Sequence, residues 1–259
     1  MYCPCGETVT GLISGAGWLC KECFDKALKD HPSKRTRSKV VCIIPTLNES
    51  ATVAEVVQKA KQMVHRVVVV DGHSEDATCE IASKSGAEVL LQDGMGKGAA
   101  LRTVFNKIEE DICVILDGDA TYDPLEIEQI IKPILDDEAD MVVGSRLMGK
   151  MEDGAITRVN KVGNRLFNFL INSCFKGNVT DSQSGYRALN RKTFESLNLS
   201  SNGFEVETEM TIKALKHGFK VKEIPITYLR RKGTPSKLNS VKAGSNIFKM
   251  ILTSSLGML

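Results

Sequence analysis

From Val40 onward the chain alternates short apolar runs with stretches whose apolar residues recur every three or four positions. "VVCII" (40–44) is a short β-branched run that predicts a buried strand, and "RVVVV" (66–70), "AEVLL" (87–91), "ICVIL" (112–116) and "DMVVG" (140–144) predict further strands. Between the first two, "SATVAEVVQKAKQM" puts Val53, Val56, Val57 and Ala60 at helical spacing, with Ser50 placed to cap the helix. "DATCEIASKSG" (76–86), "GKGAALRTVFNKI" (96–108) and "PLEIEQIIKPIL" (124–135) predict further helices. Repeated strand–helix units imply an α/β fold, a mostly parallel sheet with helices on both faces.

The second half reads differently. Residues 158–175 predict a helix with Val162, Leu166, Phe169 and Leu170 on one side. A strand in "SGYRALNR" (184–191), a helix in "EVETEMTIKALKHG" (205–218) and a strand in "FKVKEIPITYLRR" (219–231) follow. The last stretch, 241–259, mixes lysines with Ile247, Phe248, Met250, Ile251 and Leu252 and reads as an amphipathic surface helix. Residues 1–39 stand apart, so the expected organisation is 1–39, 40–240 and 241–259.

Ligands of parallel sheets bind beyond the carboxyl ends of the strands. Three polar clusters fall at such ends: Pro45–Glu49, Asp71–Asp76 and Asp117–Asp119. The third is the most informative. Two carboxylates one residue apart repel, and each raises the other's pKa unless a cation lies between them. A divalent cation such as Mg²⁺ or Mn²⁺ suits that oxygen pair, with substrate phosphates completing its shell.

Composition changes the picture little: 259 residues, 42% hydrophobic and 25% charged, are ordinary for a globular protein. No apolar leader follows Met1 and no apolar run approaches the roughly 18 residues of a membrane span. Eight cysteines in that setting argue for reduced thiols or metal ligands and a cytoplasmic protein. Cys3, Cys5, Cys20 and Cys23 form two close pairs with 14 residues between, a spacing that suits a structural, ribbon-like zinc site. A segment so short needs such a staple to fold.

Charge is uneven. The formal net charge is +2, yet no acidic residue follows Glu223, while Arg230, Arg231, Lys232, Lys237, Lys242 and Lys249 lie there. Those six cations leave residues 1–223 at a net −4. A basic end on an acidic body predicts an anionic partner, such as a phosphate or an anionic membrane surface. Nucleic acid is not expected, since no aromatic stacking pattern accompanies the basic residues.

Taken in order, "IIPTLNE", "VVVVDGHSED", "GMGKGAALR", "LDGDATY", "VVGSR", "DSQSGYRAL" and "YLRRKGTPSKL" resemble the family 2 glycosyltransferases of GT-A fold. Within that family they resemble the dolichyl- or polyprenyl-phosphate hexose synthase branch. The resemblance spans about residues 40–245 and leaves out the cysteine-rich start. It implies nucleotide contacts at Pro45, Leu47, Glu49, Asp71, Lys97, Asp117, Gly118 and Asp119, with Asp117 and Asp119 as the D-x-D metal ligands. It implies phosphate or acceptor contacts at Arg146, Arg158, Arg231 and Lys237, and catalytic places for Asp181 and Arg187. Where the mannosyl enzymes carry a glutamine ligand this chain has Thr121, and Gly72–His73 replace a second aspartate, so a UDP-linked donor stands beside a GDP-linked one.

The resemblance implies an inverting transfer of a hexose or N-acetylhexosamine from a nucleotide sugar to polyprenyl phosphate, at the cytoplasmic membrane face. A phosphate monoester is already mostly dianionic at neutral pH and attacks without a base, whereas a sugar hydroxyl would need one, for which Asp181 is the candidate. A sugar-nucleotide pyrophosphorylase would need a Gly-rich phosphate loop after the first strand, which "PTLNES" lacks. A non-catalytic nucleotide-binding adaptor would not need Asp117, Asp119, Arg146 and Arg187 together.

Overall fold

The computed structural model describes residues 11–13, 17–19, 38–233 and 240–256. The chain divides into two units, Met1–Ser38 and Lys39–Leu259. In the first, β1 (Gly11–Ile13) pairs antiparallel with β2 (Gly17–Leu19). The four cysteines of the expected zinc site, Cys3, Cys5, Cys20 and Cys23, lie outside the described residues.

The second unit is built on a seven-stranded sheet in the order β5-β4-β3-β6-β8-β7-β9. Its strands are β3 (Val40–Thr46), β4 (Arg66–Asp71), β5 (Glu88–Leu91), β6 (Ile112–Ile115), β7 (Met141–Met151), β8 (Arg187–Asn190) and β9 (Val221–Tyr228). The apolar runs account for the first five: β3, β4 and β6 are buried almost throughout, as strands covered on both faces must be. Helices α1 (Val53–Ala60), α2 (Thr78–Lys84), α3 (Lys97–Phe105), α4 (Ile127–Leu135), α5 (Arg158–Phe175), α6 (Arg191–Ser196), α7 (Val206–Lys216) and α8 (Ser240–Ser255) complete it.

Two apolar cores sandwich the sheet. One joins Val53, Val56 and Val57 of α1 and Ile127, Ile130 and Ile134 of α4 to the sheet. The other joins Leu101 and Val104 of α3 and Val206 and Met210 of α7 to the opposite face. Alternating strand residues serve the two, as Cys42 and Ile44 against Val41 and Ile43. Helix α1 begins at Val53 behind Thr52, which makes no side-chain cap, rather than behind Ser50.

β3 runs parallel to both β4 and β6, and the chain moves from β3 out to β5 before returning to β6. The order therefore reverses between β3 and β6, and a crevice opens at their carboxyl ends. β8 alone is reversed: it pairs antiparallel with β6 on one side and β7 on the other. Its amino end, not its carboxyl end, thus lies on the rim, and the loop before it reaches the crevice. α8 belongs to this unit, with Ile247 and Ile251 buried in a third cluster beside Ile171, Val179 and Ile212.

Candidate active site at the sheet rim

The rim is assembled from loops whose shape is fixed locally. Asn48, with φ 52°, turns the chain after β3, and its side chain accepts from the Glu75 amide at 2.8 Å. Thr78 Oγ1 accepts from the Glu49 amide at 2.8 Å. After β6, the Gly118 carbonyl accepts from Thr52 Oγ1 at 2.7 Å. A side chain at Gly118 would press on Thr46 Cγ2, 2.8 Å from an added Cβ, so only glycine lets the loop lie on β3.

Asp117 and Asp119 hang from this turn in different settings. Asp117 is met by the Lys97 ammonium, which also reaches Glu207 Oε1 at 2.7 Å. Asp119 accepts from Thr121 Oγ1 at 2.6 Å and the Thr121 amide at 3.1 Å on one oxygen, and from Arg231 Nη1 on the other. Arg231 also holds Glu49 Oε1 through Nη2. Burial, and then the charge of Asp117, push the Asp119 carboxyl above its ordinary range. Burial alone would lower the Lys97 ammonium, but Asp117 and Glu207 outweigh it and hold its pKa above the usual value.

Glu49, Lys97, Asp117, Gly118, Asp119 and Arg231 therefore meet at one place. Pro45 lies half-buried at the end of β3 and Leu47 stands exposed beyond it. Arg158 opens α5 on the exposed surface, behind its cap Thr157. Lys237 lies outside the described residues.

Three expected site residues are placed otherwise. Asp71 is fully buried, and its carboxylate accepts from Thr46 Oγ1, the Ser74 amide and Ser74 Oγ; it braces a turn instead of presenting itself to a nucleoside. Asp181 is also fully buried. Its oxygens accept from Arg146 Nε at 2.8 Å, Nη2 at 2.7 Å and the Arg146 amide at 2.9 Å, so the carboxylate faces Arg146 and is shut off from solvent. Arg187 lies behind the loop, donating to the Ser184 carbonyl at 2.8 Å, the Ser182 carbonyl at 2.6 Å and Thr211 Oγ1 at 2.9 Å. Burial lowers the pKa of its guanidinium, which braces the loop from within.

Two residues of the site had no role in the sequence. Tyr122 accepts from the Gly185 amide at 2.9 Å and packs against Tyr186 and Tyr228, with ring centroids 5.4 and 5.1 Å away. Arg146 sits 5.2 Å over the Tyr228 ring. Glu207 is the other: its spacing to Thr211 and Ala214 places an acid on the buried side of α7, a pattern visible in the sequence. Its Oε2 is buried without a hydrogen-bond partner.

The strand order, with its reversal between β3 and β6 and the paired aspartates at that point, defines a doubly wound α/β protein with the GT-A fold. The pattern of Glycosyl transferase family 2 matches residues 41–197, and the chain belongs to that family. Glycosyltransferase AglJ of Haloferax volcanii is 39% identical over 212 residues, covering 80% of this chain and 69% of that protein. The dolichyl-phosphate hexose transferase of the same organism is 30% identical, covering 81% and 91%. Among solved structures, glucosyl-3-phosphoglycerate synthase of Mycobacterium tuberculosis, in complex with Mn²⁺, UDP and glucosyl-3-phosphoglycerate, superposes with a TM-score of 0.71 at 22% identity over 87% of this chain and 82% of that one.

Proposed function

We propose that this glycosyltransferase moves a hexose or N-acetylhexosamine from a UDP- or GDP-linked sugar to a polyprenyl (dolichyl) phosphate at the cytoplasmic face of a membrane, with inversion. The observation that carries the acceptor is the Arg146–Asp181 pair. The carboxylate that would serve as base for a hydroxyl acceptor is buried and bound by three donors. A phosphate dianion needs no base. The relative named as a dolichyl-phosphate hexose transferase supports the same acceptor.

Among the described residues no three His, Cys, Asp or Glu side chains form a ready metal cage. Asp117 and Asp119 fit Mg²⁺ or Mn²⁺ as oxygen donors, two carboxylates one residue apart of which Asp119 is held above its ordinary pKa by burial and by the charge of Asp117. Those two residues would hold the cation with the donor's diphosphate. When bound, it supplies charge that stabilises the departing nucleoside diphosphate.

The chain's own residues do the rest. Lys97 pairs with Asp117 and holds its carboxylate in place at the rim. Arg231, released from Asp119 and Glu49, is long enough to follow the diphosphate as its charge grows. An acceptor phosphate oxygen attacks the anomeric carbon as the bond to the nucleotide's terminal phosphate oxygen breaks. The electron pair leaves with the nucleoside diphosphate and no proton moves. The test is a panel of nucleotide sugars offered with a polyprenyl phosphate and with a sugar alcohol, with and without Mg²⁺ or Mn²⁺. Transfer to the alcohol and not to the phosphate would overturn the acceptor assignment.

A further inference from the structure

α5 carries apolar residues on two sides: Ile171, Phe167, Leu170 and Phe175 pack inward, and a second set faces out. Its inward side is clamped by amides: Asn168 Oδ1 accepts from the Ser182 amide at 2.9 Å and Ser182 Oγ at 2.7 Å, and Asn168 Nδ2 donates to the Thr180 carbonyl. Asn172 exchanges two bonds of 2.9 Å with the backbone of Val179. Ile171 is the fully buried apolar side chain of the helix. Val159, Val162, Leu166 and Phe169, spaced three, four and three apart, are 53–76% exposed. Apolar residues on one helical line normally face a core. These face outward.

The neighbouring helix repeats the arrangement. α8 packs on α5, where an added Cβ at Gly244 would meet Phe167 Cζ at 3.8 Å. It buries Ile247 and Ile251 but exposes Val241, Phe248, Leu252 and Leu256. Charge follows both stripes in a fixed phase. Arg158, Lys161 and Arg165 each immediately precede an exposed apolar residue of α5, while Lys242 and Lys249 immediately follow Val241 and Phe248. No acidic residue occurs from 158 to 180 or from 240 to 259.

Exposed apolar stripes on two packed helices, edged by cations alone, form a surface that water does not favour. A second copy of the chain meeting this face through a two-fold axis would bring like charges together. A sheet of anionic headgroups over an apolar interior satisfies both the cations and the apolar side chains. We infer that the outer faces of α5 and α8 dock the protein onto an anionic lipid leaflet, with α5 supplying the main apolar contact. This deepens the lipid-acceptor reading above: it names the surface that would bring the rim to its acceptor. The start of α5 is near that rim, because Glu152, six residues ahead of it, accepts from the Arg230 amide at 2.7 Å beside Arg231.

The test is co-sedimentation of the full chain with phosphatidylglycerol and with phosphatidylcholine vesicles, with no donor or acceptor present. The result is therefore independent of whether the catalytic reading holds. The wild type is expected to sediment with the anionic vesicles and not with the neutral ones. A Leu166→Glu, Phe169→Glu double variant, altered only at exposed positions, is expected to lose at least about tenfold in partitioning. Lys161→Gln with Arg165→Gln is expected to lose roughly 25-fold, about fivefold for each charge. Both variants should keep the wild-type melting temperature and turnover of a short, water-soluble prenyl phosphate. Equal sedimentation of wild type and the Glu variant overturns the inference. So does a wild type that ignores vesicles but forms dimers, by light scattering, that the Glu variant abolishes.

Discussion

Arg231 donates to Asp119 and to Glu49 at once, so one guanidinium ties the segment after β9 to the ends of β6 and β3. A divalent cation bound between Asp119 and a diphosphate competes for the same carboxylate. Arg231→Gln is therefore expected to bind Mn²⁺ severalfold more tightly in the absence of nucleotide, read by paramagnetic resonance titration. Its turnover should fall by about 10²–10³, the usual loss for one charge-assisted contact to a developing charge. Unchanged Mn²⁺ affinity would show that the arginine and the metal do not share Asp119.

Asp119 also carries a stability prediction with a definite sign. A carboxyl whose pKa is raised on folding favours the protonated form in the fold, so ionising it above that pKa costs stability. Asp119→Asn removes that cost. The metal-free variant is expected to melt higher than wild type at pH 7, and the gap should close as pH falls and the wild-type carboxyl takes its own proton. The same variant should have lost transfer in excess Mg²⁺ or Mn²⁺. A variant that melts lower at pH 7 contradicts the sign.

The Arg146–Asp181 pair predicts a different phenotype. Removing one partner leaves the other charged, buried and unmatched, at a cost of about 3–5 kcal/mol. Arg146→Ala and Asp181→Ala should both lower the denaturation midpoint strongly. Asp181→Asn, which keeps shape and one acceptor, should lose less. If Asp181→Asn keeps wild-type stability and loses the acidic limb of the pH–rate profile, Asp181 is the base after all.

Gly185 faces the crevice with no room for a side chain: an added Cβ would lie 2.8 Å from Lys97 Nζ and 2.9 Å from Asp117 Oδ2. Gly185→Ala is expected to push the lysine and the aspartate apart. Donor affinity, measured by calorimetry, should fall at least tenfold while the melting temperature changes little.

At the amino end, Cys3, Cys5, Cys20 and Cys23 are expected to hold about one zinc per chain. Metal analysis of freshly purified protein checks this. Removal of residues 1–39 is expected to leave transfer largely intact, because the family match begins at residue 41.

The strands β3, β4, β6 and the first half of β7 were legible because strands buried on both faces must be continuous apolar runs, whereas β5, at the sheet edge and partly exposed, was legible by its place in the strand–helix alternation. The direction of β8 was not. Four residues, Arg187–Asn190, alternate in the same way whichever way the strand runs, and only the pairing of Arg187 with Ile115 and Val143 decides it. Asp117 and Asp119 stood out because adjacent like charges at a strand end call for a counter-ion. Arg146 and Asp181 carried no such mark, since 35 residues separate them in the chain. α5 was legible as a helix, and Val162, Leu166 and Phe169 do share a side, but Leu170 turns to the inner cluster and Val159 joins the stripe in its place; periodicity fixes a face and not the side it turns to. Ile171 and the asparagines beside it, Asn168 and Asn172, occupy the inward side, which periodicity alone did not single out.

The reversal of β8 marks a seam within the continuous sheet. To one side lie β5, β4, β3 and β6, contiguous in sequence up to Ile115 and carrying Glu49, Asp117 and Asp119. To the other lie β8, β7 and β9, with Arg146, Asp181 and the approach to Arg231. Under the proposed function a junction near residue 125 puts the contacts to the nucleotide mainly on the first side and those to the acceptor on the second, with the Lys97–Glu207 and Arg231–Asp119 pairs crossing it. A chimaera spliced there should follow its amino-terminal parent in choosing a nucleotide and its carboxy-terminal parent in choosing an acceptor.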